Sequence, residues 1–272
     1  MAITNFQRTV WSKKIQTALE TVTGLKNHSD YQFEGEIKYA KEVKILGVNR
    51  PTIRTYVPGT AITREHATDS SQLLKIDQFR YFDYEVEDID QAQSNPGLMN
   101  ALAEEAGKGL AEEADKYIAK IVKDGVDDGT IASTEATITK TNAISTLEDG
   151  LAVLYTNNVK TTEELHFEVA PKTFTLIRQS LTELFTENVE MSKKGYVGRY
   201  GNALISVENN LPETEDGKKI HILRTKKAIA YAGQIDKTEA YRPHDAFQDA
   251  LKALFVFGAK VVRPKEIYCI KV

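Results

Sequence analysis

A chain of 272 residues is long enough for one large domain or two modest ones around a sizeable core. Its single cysteine, Cys269, excludes an intrachain disulfide and a thiolate-built zinc site, in keeping with a reducing cytoplasm. The net charge of -4 hides an asymmetry: residues 1–80 hold twelve Lys/Arg against eight Asp/Glu, whereas residues 81–128 hold four against thirteen.

The first residues, "MAITNFQRTVWSKK", lack the apolar core of a signal peptide, and no apolar run approaches the roughly 20 residues that cross a bilayer. These features predict a soluble protein that is not exported. Between positions 6 and 25, Phe6, Val10, Trp11, Ile15, Leu19, Val22 and Leu25 recur at helical spacing, which predicts an amphipathic helix. From 31 to 86 the pattern alternates instead, in "GEIKYAKEVKILGV", "PTIRTYV" and "LLKIDQFRYFDYEV". In the last of these, Phe82, Tyr84 and Val86 share one face, and Asp83, Glu85 and Glu87 share the other. The polar "PGTAITREHATDSSQ" between the segments predicts a projecting loop on antiparallel strands with too little apolar material to stabilise themselves.

At Asn95-Pro96, an N-cap residue followed by proline, the period lengthens to nearly four. Leu98, Leu102, Ala106, Leu110, Ala114, Ile118, Ile121 and Val122 form one stripe, and Gly125 supplies a stop. A helix of about 28 residues would span roughly 40 Å. Gly107 and Gly109 weaken it by about 1 kcal/mol each relative to alanine, so another backbone is expected to pack closely there.

The remainder reads as an α/β unit. It comprises a short strand at "TIASTEATIT", a helix over 144–155, a strand at "HFEVAP", and a helix over 172–184 with Phe174, Ile177, Leu181 and Leu184 inward. Then come "GYVGRYGNALISVENNLP", a strand pair in "KIHILRTKKAIAYAG" and "EAYRP", the apolar "ALKALFVFGAKVVRP", and a closing strand "IYCIKV".

Chemistry finds little support. The five histidines, His28, His66, His166, His221 and His244, show no metal-ligand spacing and are expected to be packed or solvated. "HFE" at 166–168 lacks the cysteine pair of a deaminase, and Cys269 sits in an apolar strand as a buried thiol. A metal-dependent hydrolase on Asp88, Asp90 and His244 is the remote alternative; acids that favour a helix start through its dipole are the plainer reading of the two aspartates. "GYVGRYG" is spaced wrongly for a phosphate loop, and no nucleophile elbow exists. Neither catalysis nor a cofactor is predicted.

What remains is association. A basic front and an acidic centre predict that one subunit's loop lies on another's acidic helix, with Lys44, Arg50, Arg54 and Arg64 facing Glu104, Glu105, Glu112 and Glu113. A merely solvated charged face is the plainer alternative.

The order of segments resembles the tailed-bacteriophage major capsid protein family over nearly the whole chain. The resemblance rests on "VWSKKIQTAL" before "EGEIKYAKEVKILGV", "TYVPGTAIT", "FRYFDYEVEDIDQAQS" before "MNALAEEAGKGLAEEADKYIAKIV", then "VAPKTFTLIRQS", "GYVGRYGNALISVENNLP" and "KKAIAYAGQIDKTEAYRPHDAFQDALKALFVFGAKVVRP". It implies an α+β fold: an N-terminal arm at 1–33, an extended β-hairpin loop at 34–86, the spine helix of a peripheral domain at 87–129, an axial domain at 130–240, and return strands and a helix at 241–272. It also implies hexamers and pentamers closing into an icosahedral shell around double-stranded DNA, held by non-specific contact. A portal and a scaffold are the further partners; because the arm starts near Met1, the scaffold is expected to be a separate protein or a segment already removed. The virion is the implied location, with assembly in the host cytoplasm. The encapsulin-type bacterial compartment shares this fold and is the nearest alternative.

Overall fold

The computed structural model describes residues 24–32, 42–48, 69–87, 98–180, 196–244 and 248–272, together with Ile15, Thr17 and residues 53–56, 58, 59 and 61. The predicted helix over 6–25 and the inward Leu181 and Leu184 therefore lie almost wholly outside the described residues. Within them, the chain visits three sheets. Strands β1 (Glu42–Val48) and β2 (Asp69–Lys75) pair antiparallel as a ribbon; β3 (Gln78–Glu87), β10 (Gln248–Val261) and β9 (Ile229–Tyr241) form an antiparallel sheet in that order.

The third sheet has six strands, ordered β4 (Ala132–Glu135), β11 (Ile267–Lys271), β8 (Ile220–Thr225), β5 (Leu165–Val169), β7 (Ala203–Val207) and β6 (Tyr196–Tyr200). β4 runs parallel to β11 and β5 parallel to β7, whereas the other neighbours are antiparallel. Alternation assigns its two faces. Phe167, Val169, Ile205, Leu223, Tyr268 and Ile270 face helices α2 (Ala143–Thr156) and α3 (Pro171–Ser180); Ile220, Ile222, Ile267 and Cys269 face the other way.

That second face meets the long helix α1 (Leu98–Asp127), which also covers the three-stranded sheet. Leu110, Ala114, Ile118, Val122 and Val126 recur every four residues, so one side of the helix sinks into Leu251, Ala253, Phe255 and Phe257 of β10. Burying a branched aliphatic side chain of this kind contributes about 1.5–3 kcal/mol relative to exposure.

Several expectations are corrected. The helix does not stop at Gly125 but runs two residues on. Gly125 lacks a side chain where Ile131 packs, and a Cβ there would stand 2.7 Å from Ile131 Cδ1. The turn falls instead at Gly129, whose φ of +71° suits glycine. At Gly109 no atom of the described residues lies within 4 Å of the absent Cβ, so the close packing expected there does not come from them. The close approach is at Gly258 of β10, where a Cβ would meet the Lys75 carbonyl oxygen at 2.1 Å. "LLKIDQFRYFDYEV" is two strands, broken at Ile76-Asp77, because its first half pairs with β1 and its second with β10. "KIHILRTKKAIAYAG" and "EAYRP" are not two paired strands: a 3-10 turn, Lys226–Ala228, divides the first between β8 and β9 in different sheets, and "EAYRP" begins as the end of β9. Residues 53–56 within "PTIRTYV" adopt no regular structure. In place of an α-helix, 248–272 holds strands and a 3-10 turn at Pro264–Glu266, because Leu251, Ala253, Phe255, Phe257 and Ala259 recur at period two.

Candidate assembly surfaces

The N-terminal segment and the ribbon are fixed to the body by opposite means. The inner face of the six-stranded sheet is apolar under α1 and polar beyond it, where β5, β7 and β8 present His166, Glu168, Ser206 and Arg224. A 3-10 turn, Leu25–His28, closes this polar half. Arg224, fully buried, donates from Nε and Nη2 to both oxygens of Glu168 at 2.7–3.2 Å, from Nη2 to the Leu25 carbonyl at 2.6 Å, and from Nη1 to Ser29 Oγ at 3.2 Å. His28 Nδ1 lies 2.9 Å from Glu168 Oε1, and its ring stacks on His166 at 4.4 Å. From α1, Asp115 Oδ1 accepts the Lys26 amide at 2.8 Å.

Gly24 is required at this seat, since a Cβ would come within 1.9 Å of Asp115 Oδ2. Past the turn, Asp30 bridges to Ala230 of β9 through the bonds Asp30 N–H to Ile229 O and Tyr231 N–H to Asp30 O. Burial alone would raise the pKa of Glu168, but Arg224 and His28 outweigh it and hold the carboxyl below its ordinary value. Burial pushes His166 down to about 3 and Asp115 up to about 6. The segment is therefore clasped by charge and hydrogen bonds in a region that excludes water, where breaking one partner is costly.

The ribbon has an apolar root. Val43, Ile45, Leu74 and Ile76 pack on Ala230 and Ala232 of β9. Next to it, the outer face of the three-stranded sheet is open: Phe79, opposite Val256, is 54% exposed, and Tyr81, opposite Leu254, is 77% exposed. β3 is an edge, and among the described residues no strand pairs with its free side. A ten-residue edge strand with two exposed aromatics is a template for another chain. Toward its far end the face becomes charged: Tyr241 Oη donates to Asp83 Oδ2 at 2.9 Å, Gln248 donates to Glu85, and Lys252 pairs with Glu239 at 3.1 Å.

The contact residues predicted from the sequence fall as follows. Lys44 is exposed on β1 between buried Val43 and Ile45; Arg54 is exposed in the stretch 53–56, near Ile53 and Tyr56, which are 83% and 62% exposed. Arg50 and Arg64 lie outside the described residues. Glu104, Glu105 and Glu112 are exposed on α1, and the first two reach Lys108 Nζ at 3.6 and 2.7 Å. Glu113 meets Lys116 at 2.9 Å and Arg80 of β3 at 3.3 Å, so a basic partner from its own chain already reaches that acid. Of the alternative metal set, Asp88 and Asp90 lie outside the described residues, and His244 is exposed; no group of three or more potential ligands occurs among the described residues.

Sequence reasoning missed the clasp. "HFE" lacks the cysteine pair of a deaminase, yet its His166 and Glu168 are the centre of the clasp, and the one available signal is the placement of ionisable side chains inside two strands that otherwise read as fully buried.

A long helix over a small sheet, a second sheet layered with helices, a clasped terminal segment and an outlying ribbon make up the fold of a capsid-shell subunit. A family model described as phage capsid protein matches residues 69–270, and the chain belongs to that family. Its function is that of a major capsid protein. A solved structure titled Mycobacterium phage Che8 is similar at 26% identity and a TM-score of 0.72, covering 92% of this chain and 91% of that one. The capsid structure of cyanophage P-SCSP1u matches at 16% identity and a TM-score of 0.68, with 86% and 84% covered. A virus-like particle from Pyrococcus furiosus shares the fold at 11% identity and a TM-score of 0.62, over 97% and 99%. No curated protein sequence matches.

Proposed function

We propose that this major capsid protein builds the head of a tailed bacteriophage, closing through hexamers and pentamers into an icosahedral shell around double-stranded DNA. The observation that carries the contact scheme is the open outer face of β3, where Phe79 and Tyr81 stand exposed beside the ribbon on an edge with which no strand of the described residues pairs. A neighbour's extended segment covers that face, and interfaces above about 1,000 Å² per neighbour follow. In this scheme 1–33 is the arm, 34–86 the extended loop, 87–129 the spine region, 130–240 the axial domain and 241–272 the return. Lys44, Arg50, Arg54 and Arg64 of one subunit face Glu104, Glu105, Glu112 and Glu113 of the next, each pair worth under about 1 kcal/mol and multiplied around the lattice. A scaffold and a portal take part during assembly in the host cytoplasm, and the finished protein resides in the virion.

The test is electron microscopy of purified protein with and without its cognate scaffold. Rings, shells or polyheads are expected, and a monomer under every assembly condition overturns the reading. Arg54→Glu is expected to leave the circular dichroism of the subunit intact while impairing assembly, with Glu105→Lys restoring particles if these two residues meet. Shells carrying an enzyme cargo instead of a genome would point to the compartment alternative.

A further inference from the structure

The clasp contains one acid that its cation does not reach. Ser206 of β7 stands opposite Glu168 of β5, and the Glu208 amide continues the pairing by donating to the Val169 carbonyl at 2.9 Å. Alternation then places Glu208 on the same sheet face as Ser206, Glu168 and His166. Its side chain is 5% exposed, and its Oε1 finds no hydrogen-bond partner among the described residues. Arg224 is committed to Glu168, to the Leu25 carbonyl and to Ser29.

Around Glu208 the groups facing the cluster are Glu168 and His166 from β5, Arg224 from β8, Lys226 from the turn after it, Cys269 from β11, Asp115 from α1, and Lys26 and His28 from the N-terminal segment. A third ionised carboxylate here would be desolvated and repelled by two others. We propose that Glu208 is a neutral carboxylic acid while residues 24–31 are seated, and that its ionisation loosens that seat, making the clasp a base-sensitive switch for the N-terminal segment.

The sign follows from linkage. Burial, reinforced by the charges of Glu168 and Asp115, pushes Glu208 from an ordinary value of 4.5 up to about 9. A raised value means that the proton favours the closed form, so this contribution is full below 4.5 and disappears as pH climbs toward 9. Asp115 acts in the same direction but is spent by about 6, and His166, displaced downward from 6.5, acts only below that value. Between pH 7 and 9 the contribution of Glu208 changes the closing equilibrium by at most about tenfold per pH unit.

The experiment is segment-resolved hydrogen exchange on the full chain from pH 7 to 9, corrected for intrinsic rates, comparing wild type with Glu208→Gln, which imitates the neutral acid. Protection of residues 25–31 is expected to fall by ten- to a hundredfold in the wild type, while β8 keeps its own; in the variant the fall is expected to vanish. An identical pH dependence in the two proteins overturns the proposal. A second readout applies even if the variant does not fold: infrared spectra of the wild type at pH 7 must show the carbonyl band of a protonated carboxylic acid that bleaches as pH rises past 9, and its absence sinks the idea.

Discussion

The two faces of the three-stranded sheet are made of the same kinds of residue and meet opposite fates. On the inner face Phe255 and Phe257 are 1% and 0% exposed beneath α1, whereas on the outer face Phe79 and Tyr81 are more than half exposed. The inner aromatics complete the fold of one chain; the outer ones are left over after that fold is complete. In a family whose members form shells, the difference marks where folding ends and association begins.

The contrast can be broken from the inside first. Phe257→Ala removes a ring that packs against Phe255 and Tyr117, and it is expected to cost about 3–5 kcal/mol in chemical denaturation, because the covered site cannot collapse around the void. A cost below about 1 kcal/mol would mean that α1 does not seal this face. A smaller loss is expected at the boundary between fold and ribbon. Gly258→Ala forces a methyl group against the Lys75 carbonyl, costs about 1–3 kcal/mol, and should release β2 from β10, read as faster hydrogen exchange in 69–75 than in 250–257. Unchanged exchange in the ribbon would show that it is anchored by Val43, Ile45 and Leu74 alone.

The smallest effect on the single chain, and the sharpest on the comparison, belongs to Tyr81→Ser. With the ring in water, subunit stability should stay within about 0.5 kcal/mol of wild type, while the yield of particles by electron microscopy drops. Normal assembly by this variant would remove the outer face from the list of contacts.

The elements that sequence alone made legible are those with one strong period. Leu110, Ala114, Ile118 and Val122 announced α1, and alternation announced β3, since a side chain's direction follows from local backbone geometry. The candidate contact acids Glu104, Glu105 and Glu112 lie exposed on α1, whereas Arg80 at Glu113 was invisible because 33 residues separate them. The clasp was less visible still. Arg224 meets Leu25 across 199 positions and Glu168 across 56, and no local pattern encodes such pairings.

For this protein the order of residues determined the long helix α1, the alternation of β3, and that an acidic centre follows a basic front. Only the tertiary structure decided that Phe257 is covered and Tyr81 is not, that "KIHILRTKKAIAYAG" divides between two sheets, and that five ionisable side chains, His28, Asp115, His166, Glu168 and Arg224, gather in the dark of the interior. Periodicity is set by neighbours a few bonds away, whereas coverage and charge pairing depend on which distant surface arrives, and that is settled by the packing of the whole chain.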